Sequence, residues 1–223
     1  MDVELKTIDR AETLRYLSYR GSAIPQDVET KIDRCEELML QTARPRVVWK
    51  LFDLQSDGTL AQSAYRPSGN DIRILLRDCD RVILMAATLG AEVEELIRRA
   101  QKRDMTEAVL LDAAGSAAIE QVCDDLCALL AGRFAPACLT ERFSPGYGDM
   151  PLSDQKAFFS ALDVSRRIGV TLSENCLMLP QKSVTAFIGV SDRPQPKRGQ
   201  GCTHCPRSDD CAFRKEGKNC GVF

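Results

Sequence analysis

Arg142-Phe-Ser-Pro-Gly-Tyr-Gly-Asp149, followed downstream by Gly169-Val-Thr-Leu-Ser-Glu-Asn-Cys-Leu-Met-Leu-Pro-Gln-Lys-Ser-Val-Thr-Ala-Phe187, is the part of the chain whose reading decides the fold. The first stretch joins an arginine fork, a Pro145-Gly146 turn and the aromatic face of Tyr147. Glycine reaches backbone angles closed to other residues and lets a ligand approach the main chain. Arginine grips a carboxylate through two parallel hydrogen bonds, and a tyrosine ring stacks on a base or lies against a cation. An amino-acid carboxylate joined to a sulfonium and an adenine suits this set. By spacing alone, a surface turn with a solvated arginine fits at least as well. In the second stretch Glu174 stands among weakly polar neighbours, where a carboxylate needs a cationic or hydrogen-bonding partner. A helix cap or a structural ion pair would meet that need as well as a ligand would.

Outward from these stretches the chain alternates helix-like and strand-like patterns. Apolar residues recur at helical spacing from Ile8 to about Tyr19 and from Pro25 to Thr42, with Val28, Ile32, Cys35 and Leu38 on one face. Pro25 suits a first helical turn. Arg46 to Leu54 is rich in β-formers and ends at the Ser56-Asp57-Gly58 turn, and a short helix is expected over Asp71 to Cys79. Arg81 to Leu89 is a continuous apolar run of buried-strand length, and Gly90 opens a charged helix through Arg103. Asp104 with Glu107 forms a capping box before a long helix to about Gly132, with an inner stripe of Leu111, Gly115, Ala118, Val122 and Leu126. Beyond Pro136 come a strand-like Cys138 to Phe143, helix over Ser153 to Arg167, and a last strand over Ser183 to Ser191. Pro194, Pro196, Gly199 and Gly201 then mark a linker. The expected division is a folded unit over 1–191 and a Pro/Gly linker with a cysteine-rich tail over 192–223.

Composition narrows the function classes. The chain has 223 residues, 44% hydrophobic and 28% charged, enough to bury a substantial core. A net charge of −2 gives no electrostatic reason to expect nucleic acid or an anionic membrane as a partner. The N-terminal sequence shows no export signal and no stretch is apolar enough to span a bilayer, so the expected location is the cytoplasm. Of the ten cysteines, Cys35, Cys79, Cys123, Cys127, Cys138 and Cys176 lie in apolar contexts where free thiols act as small hydrophobes. Cys123 and Cys127 are one helical turn apart and can in principle hold a metal, but an apolar face favours core packing.

In this order and separation, the two stretches resemble the activation domain of cobalamin-dependent methionine synthase. That family pairs an R-x-x-P-G-Y turn with a downstream G-x-x-L-T-E-S-x-x-M-x-P-x-x-S-V-S-G segment. The matching residues here are Arg142, Pro145, Gly146 and Tyr147, then Gly169, Leu172, Glu174, Met178, Pro180, Ser183 and Val184. Three departures stand out: Gly148 follows the tyrosine where proline is usual, Ser173 and Asn175 flank Glu174, and Ala186 replaces a glycine.

The resemblance implies an α+β, C-shaped fold with a central twisted, mostly antiparallel sheet and flanking helices. It also implies S-adenosylmethionine as cofactor. Arg142 would hold the methionine carboxylate, Pro145, Gly146, Tyr147 and Ser183 would shape the pocket, and Glu174 would help place the amino or sulfonium group. The implied function is reactivation of methionine synthase by reductive methylation of cob(II)alamin. Corrinoid proteins of that family carry a D-x-H-x-x-G motif, whereas the single histidine here, His204, has no aspartate two residues before it. The cobalamin is therefore expected on a separate methionine synthase chain lacking its own activation domain, with a flavodoxin or ferredoxin as electron donor. A corrinoid methyltransferase of another pathway is an alternative partner.

Cys202-x2-Cys205-x5-Cys211-x8-Cys220 places four thiols in a short segment, a pattern suited to zinc or an iron–sulfur cluster but matching no standard ferredoxin spacing. Residues 192–223 hold seven lysines and arginines against four acids, which favours thiolates. A metal- or iron–sulfur-binding adaptor without a catalytic role is thus a second reading. A third, an ordinary S-adenosylmethionine methyltransferase, wants a glycine-rich loop after its first strand, and no G-x-G-x-x-G occurs.

Overall fold

The run Arg81–Thr88 lacks polar alternation because the strand it forms, β2, is covered on both faces: every residue after Arg81 is buried. The computed structural model describes residues 3–19, 21 and 23–194. Before β2 come α1 (Arg10–Tyr16), α2 (Gln26–Thr42), β1 (Arg46–Asp53) and α3 (Asn70–Leu76). After it come α4 (Ala91–Gln101), α5 (Met105–Phe134), β3 (Cys138–Leu139), α6 (Gln155–Leu162) and α7 (Val164–Ile168), then β4 (Thr171–Leu172), β5 (Met178–Leu179) and β6 (Ser183–Ser191).

The main sheet has four strands in the order β1-β2-β6-β3, and every ladder is antiparallel. Strand alternation sends β2 side chains to opposite cores. Val82, Leu84 and Ala86 join Val48, Phe52 and Phe187 against Ile72 of α3 and Phe158 and Leu162 of α6. Ile83, Met85 and Ala87 join Ala186, Ile188 and Val190 against Ile32 and Met39 of α2 and Leu111 and Val122 of α5. The result is a sheet between two helical layers. Each fully buried leucine, such as Leu84, contributes roughly 1.5–3 kcal/mol through lost apolar exposure. Ala186, where the family has glycine, puts its methyl into the α2/α5 core.

The expected elements form with local differences. Asp104 caps α5 by accepting from Thr106 and Glu107 N–H, but its own N–H is bound by the Ala100 carbonyl at 2.8 Å. The reciprocal half of the capping box is therefore taken by the preceding helix. The helix expected over Ser153 to Arg167 is divided into α6 and α7 at Asp163, whose φ of 55° and ψ of 44° are left-handed. Aspartate tolerates that conformation, and here its carboxylate accepts from Arg166 in the next turn. The strand expected over Cys138 to Phe143 keeps only β3 and an isolated bridge between Phe143 and Phe187. The β4–β5 hairpin was not legible, since strands of two residues carry no periodic signal.

Strand β6 ends at Ser191, and the cysteine-rich tail lies outside the described residues. Among the described residues no helix is long and apolar enough to cross a membrane.

Candidate functional site

Phe143 pairs with β6 and points into the α3/α6 core, so alternation turns Arg142 to the other side of the sheet, toward α5. There the Arg142 guanidinium donates to Asp124 Oδ1 at 2.6 Å and to Glu120 Oε2 at 2.8 Å, and meets Cys127 Sγ at 3.6 Å. Its side chain is only 23% exposed, whereas Asp124 is 66% exposed. Asp112, Ser116, Glu120 and Asp124 recur every fourth residue and share one stripe of α5. Lys182, on the approach to β6, donates to Asp112 and Ser116 of the same stripe, both at 2.8 Å. The stripe is a row of carboxylates and a hydroxyl, with one guanidinium and one ammonium laid across it.

Cys123 is buried and Cys127 half-buried beneath Arg142. Burial raises both thiols above their ordinary range, more than the arginine lowers them, so both stay protonated at neutral pH. Core packing is the role that the surroundings give this pair. Among the described residues no group of three or more histidine, cysteine or acidic side chains is arranged to hold a metal ion.

On the opposite face, the turn after Phe143 is built by hydrogen bonds from Tyr147 N–H to Ser144 and from Gly146 N–H to the Met150 carbonyl. Gly146 has φ +92°, and a Cβ there would meet Leu152 Cδ1 at 3.1 Å. Pro145 is buried and Tyr147 is 67% exposed. The turn is anchored by Asp149, whose carboxylate accepts from the N–H groups of Asn70 (2.7 Å) and Asp71 (2.9 Å) at the start of α3. Gly148 explains its departure from the family pattern: with φ +54°, its Cβ would lie 2.0 Å from Asp71 Oδ2. A larger residue would be strained by this left-handed backbone and would displace the Asp71 carboxylate, which accepts from Asp149 N–H.

Ser183 is buried at the start of β6 and donates to Thr88 Oγ1 (2.9 Å) or the Pro180 carbonyl (2.8 Å). Its hydroxyl adds a side-chain link at the Thr88–Ser183 pair of the β2–β6 ladder. Glu174 is exposed in the loop of the β4–β5 hairpin, so its carboxylate is solvated and needs no protein cation. The structure thus brings Arg142 together with Glu120 and Asp124, with Tyr147 and Glu174 on exposed loops. Glu120 and Asp124 escaped the sequence reading. Their signal is the four-residue recurrence of polar side chains through an alanine-rich helix.

A half-buried guanidinium between two carboxylates is equipped for a zwitterion. An incoming carboxylate takes the arginine, and an incoming ammonium takes the acids released from it. Comparison with known proteins bears on this segment directly. Residues 129–195 match the family model "Vitamin B12 dependent methionine synthase, activation domain". This span includes the end of α5, Arg142, the Pro145–Tyr147 turn, the hairpin and β6. The chain also has the fold of a solved MetH reactivation domain, determined bound to AdoHcy, with a TM-score of 0.62 at 16% identity. That superposition covers 96% of this chain and 82% of the other. The mixed helical and antiparallel architecture is therefore that of the methionine synthase activation domain. No curated protein matches the chain.

Proposed function

We propose that this protein reactivates a cobalamin-dependent methionine synthase in trans, binding S-adenosylmethionine and presenting its methyl group to the corrinoid of a separate chain. The observation that carries the reading is Arg142, half-buried between Glu120 and Asp124 inside the stretch that matches the activation-domain family. Arg142 takes the methionine carboxylate. Glu120 and Asp124 take the α-ammonium and offset the positive sulfonium. Pro145, Gly146 and Tyr147 are carried over from the family motif as pocket residues, and Glu174 as a further negative charge for the sulfonium.

The chain's work is positioning and electrostatics: holding the methyl donor in line with its acceptor and excluding water when the partner docks. The corrinoid of the partner, once reduced by one electron from a flavodoxin or ferredoxin, supplies the nucleophile that accepts the methyl group. S-adenosylhomocysteine is the product left in the site. No proton is transferred, so ionic partners suffice for the step. The proposed site of action is the cytoplasm, where free thiols such as Cys123 and Cys127 persist.

Calorimetric titration with S-adenosylmethionine tests the reading. Saturable binding is expected, reduced at least tenfold by Arg142→Ala and less by Glu174→Gln. Wild-type protein that stays folded and takes up no S-adenosylmethionine, alone or with a corrinoid partner, would overturn it. The second reading, a metal or cluster adaptor, rests on Cys202, Cys205, Cys211 and Cys220. Iron or zinc in anaerobically purified protein, lost when these four are replaced by serine, is the result that supports a metal at the tail.

A further inference from the structure

Strand β1 ends the main sheet on one side. Arg44 N–H donates to the Leu89 carbonyl and Leu54 N–H to the Asp80 carbonyl, both at 2.8 Å, so the even-numbered backbone groups of this stretch face β2. The odd-numbered groups face outward. Asp53 uses its own: its N–H donates to Gln62 Oε1 at 3.2 Å and its carbonyl accepts from Ala61 N–H at 3.0 Å. Among the described residues no hydrogen bond reaches the N–H or carbonyl of Val47, Trp49 or Leu51. These donors and acceptors stand in a row at strand spacing, a template on which a further strand can add. The side chains beside the row form two rims. Val47, Trp49 and Leu51 are half-buried against the α2/α5 core, and the Arg133 guanidinium lies 5.1 Å from the centroid of the Trp49 indole. On the other face Val48 and Phe52 are buried, while Arg46 and Lys50 are exposed. Arg46 lies beside Gly169 at the end of α7, whose last turn carries Arg166 and Arg167. Arg166 is held by Asp163, but Arg46, Lys50 and Arg167 form no ion pair among the described residues.

We infer that the outer edge of β1 is a docking site for an extended segment of a partner protein in which acidic residues alternate with apolar ones. Main-chain pairing with Val47, Trp49 and Leu51 supplies affinity, and the pleat sends alternate side chains of the incoming strand to the two rims. Apolar side chains on one face meet Trp49 and Leu51. Acidic side chains on the other meet Arg46 and Lys50, and opposite charges across a strand pair are favourable. Charge selects the occupant. A second copy pairing through its own β1 would bring Arg46 and Lys50 of both copies onto one face, where like charges repel. The chain's own tail carries the wrong sign as well, since residues 192–223 hold seven lysines and arginines against four acids. An acidic segment of another protein neutralises the rim. The edge is separate from the Arg142 cluster, which follows β3 at the opposite end of the strand order, so this inference stands apart from the proposed binding of S-adenosylmethionine.

The single tryptophan of the chain, Trp49, sits on this edge, so its fluorescence reports occupancy in the full-length protein. The probe is a capped peptide of the length of β1 that alternates valine and glutamate, with a valine–lysine peptide as control. The valine–glutamate peptide is expected to shift Trp49 emission saturably and to slow amide hydrogen exchange at Val47, Trp49 and Leu51, leaving Val48 and Lys50, already bonded to β2, unchanged. The valine–lysine peptide should do neither. Leu51→Pro removes an outward donor without touching the β2 ladder and should weaken the acidic peptide at least tenfold. Arg46→Glu combined with Lys50→Glu, both at exposed positions, should reverse the preference between the two peptides, and it keeps the test valid if the proline variant fails to fold. Folded wild-type protein with no saturable response, or with a response that leaves the three amides unprotected, would overturn the inference. Protection of the same amides in the protein alone would also overturn it, giving the edge to a second copy if protection rises with protein concentration and to the chain's own tail if it does not.

Discussion

Asp149 shows how a single side chain sets the geometry of the turn that bears Tyr147. Its carboxylate does from a distance what an N-cap residue does locally, binding the first free N–H groups of α3 where Gly69 offers no side chain. Asp149→Ala is expected to cost about 1 kcal/mol, seen as a lower midpoint in urea unfolding at unchanged slope. The thiols of the buried Cys35 and the half-buried Cys79 set a pH limit. Cys35 and Cys79 are pushed up to about 11 by burial and by nearby carboxylates, against an ordinary 9. The folded state holds these protons more tightly than the unfolded chain, so the stability they confer is intact below pH 9 and falls as pH rises from 9 toward 11. Alkaline unfolding midpoints measured across that window should fall, and Cys35→Ala with Cys79→Ala should flatten the slope. At Arg142 the fork geometry matters more than the charge, so Arg142→Lys should recover little of the S-adenosylmethionine affinity lost in Arg142→Ala.

At the level of elements, β6 joins the site to the core. Its Thr185 exchanges hydrogen bonds with the buried Gln155 of α6 at 2.8 and 3.0 Å, and its Ser183 binds Thr88. Gln155→Leu leaves the Thr185 hydroxyl buried without its partner and should cost about 1–3 kcal/mol, read from thermal unfolding. Much of this layer was legible in the sequence. The even apolar run of β2 can only be a strand covered twice, and the period of α2 and α5 fixed their buried faces. Other features were not legible because their causes are non-local. The Asp163 break depends on a left-handed residue inside an otherwise helical pattern. The β4–β5 hairpin is held by pairing rather than by propensity. Arg142 and its motif could be picked out from sequence, but the partners Glu120 and Asp124 come from α5, and only the fold brings them beside it.

For the whole molecule, the two helical layers serve different ends. The α3/α6/α7 side anchors the exposed turn and lies across the sheet from the arginine cluster, while the α1/α2/α4/α5 side carries the polar stripe. Most of the ionic groups sit at the surface, where screening keeps individual pairs weak, so salt should alter ligand binding at the Arg142 cluster more than it alters folding. The central claim is that the Arg142 cluster receives the amino-acid end of S-adenosylmethionine. Its most direct measurement is calorimetric titration of wild type, Arg142→Ala and Glu120→Gln with S-adenosylmethionine. The account predicts saturable binding by wild type and at least tenfold weaker binding by each variant. Equal affinity in all three proteins would contradict it.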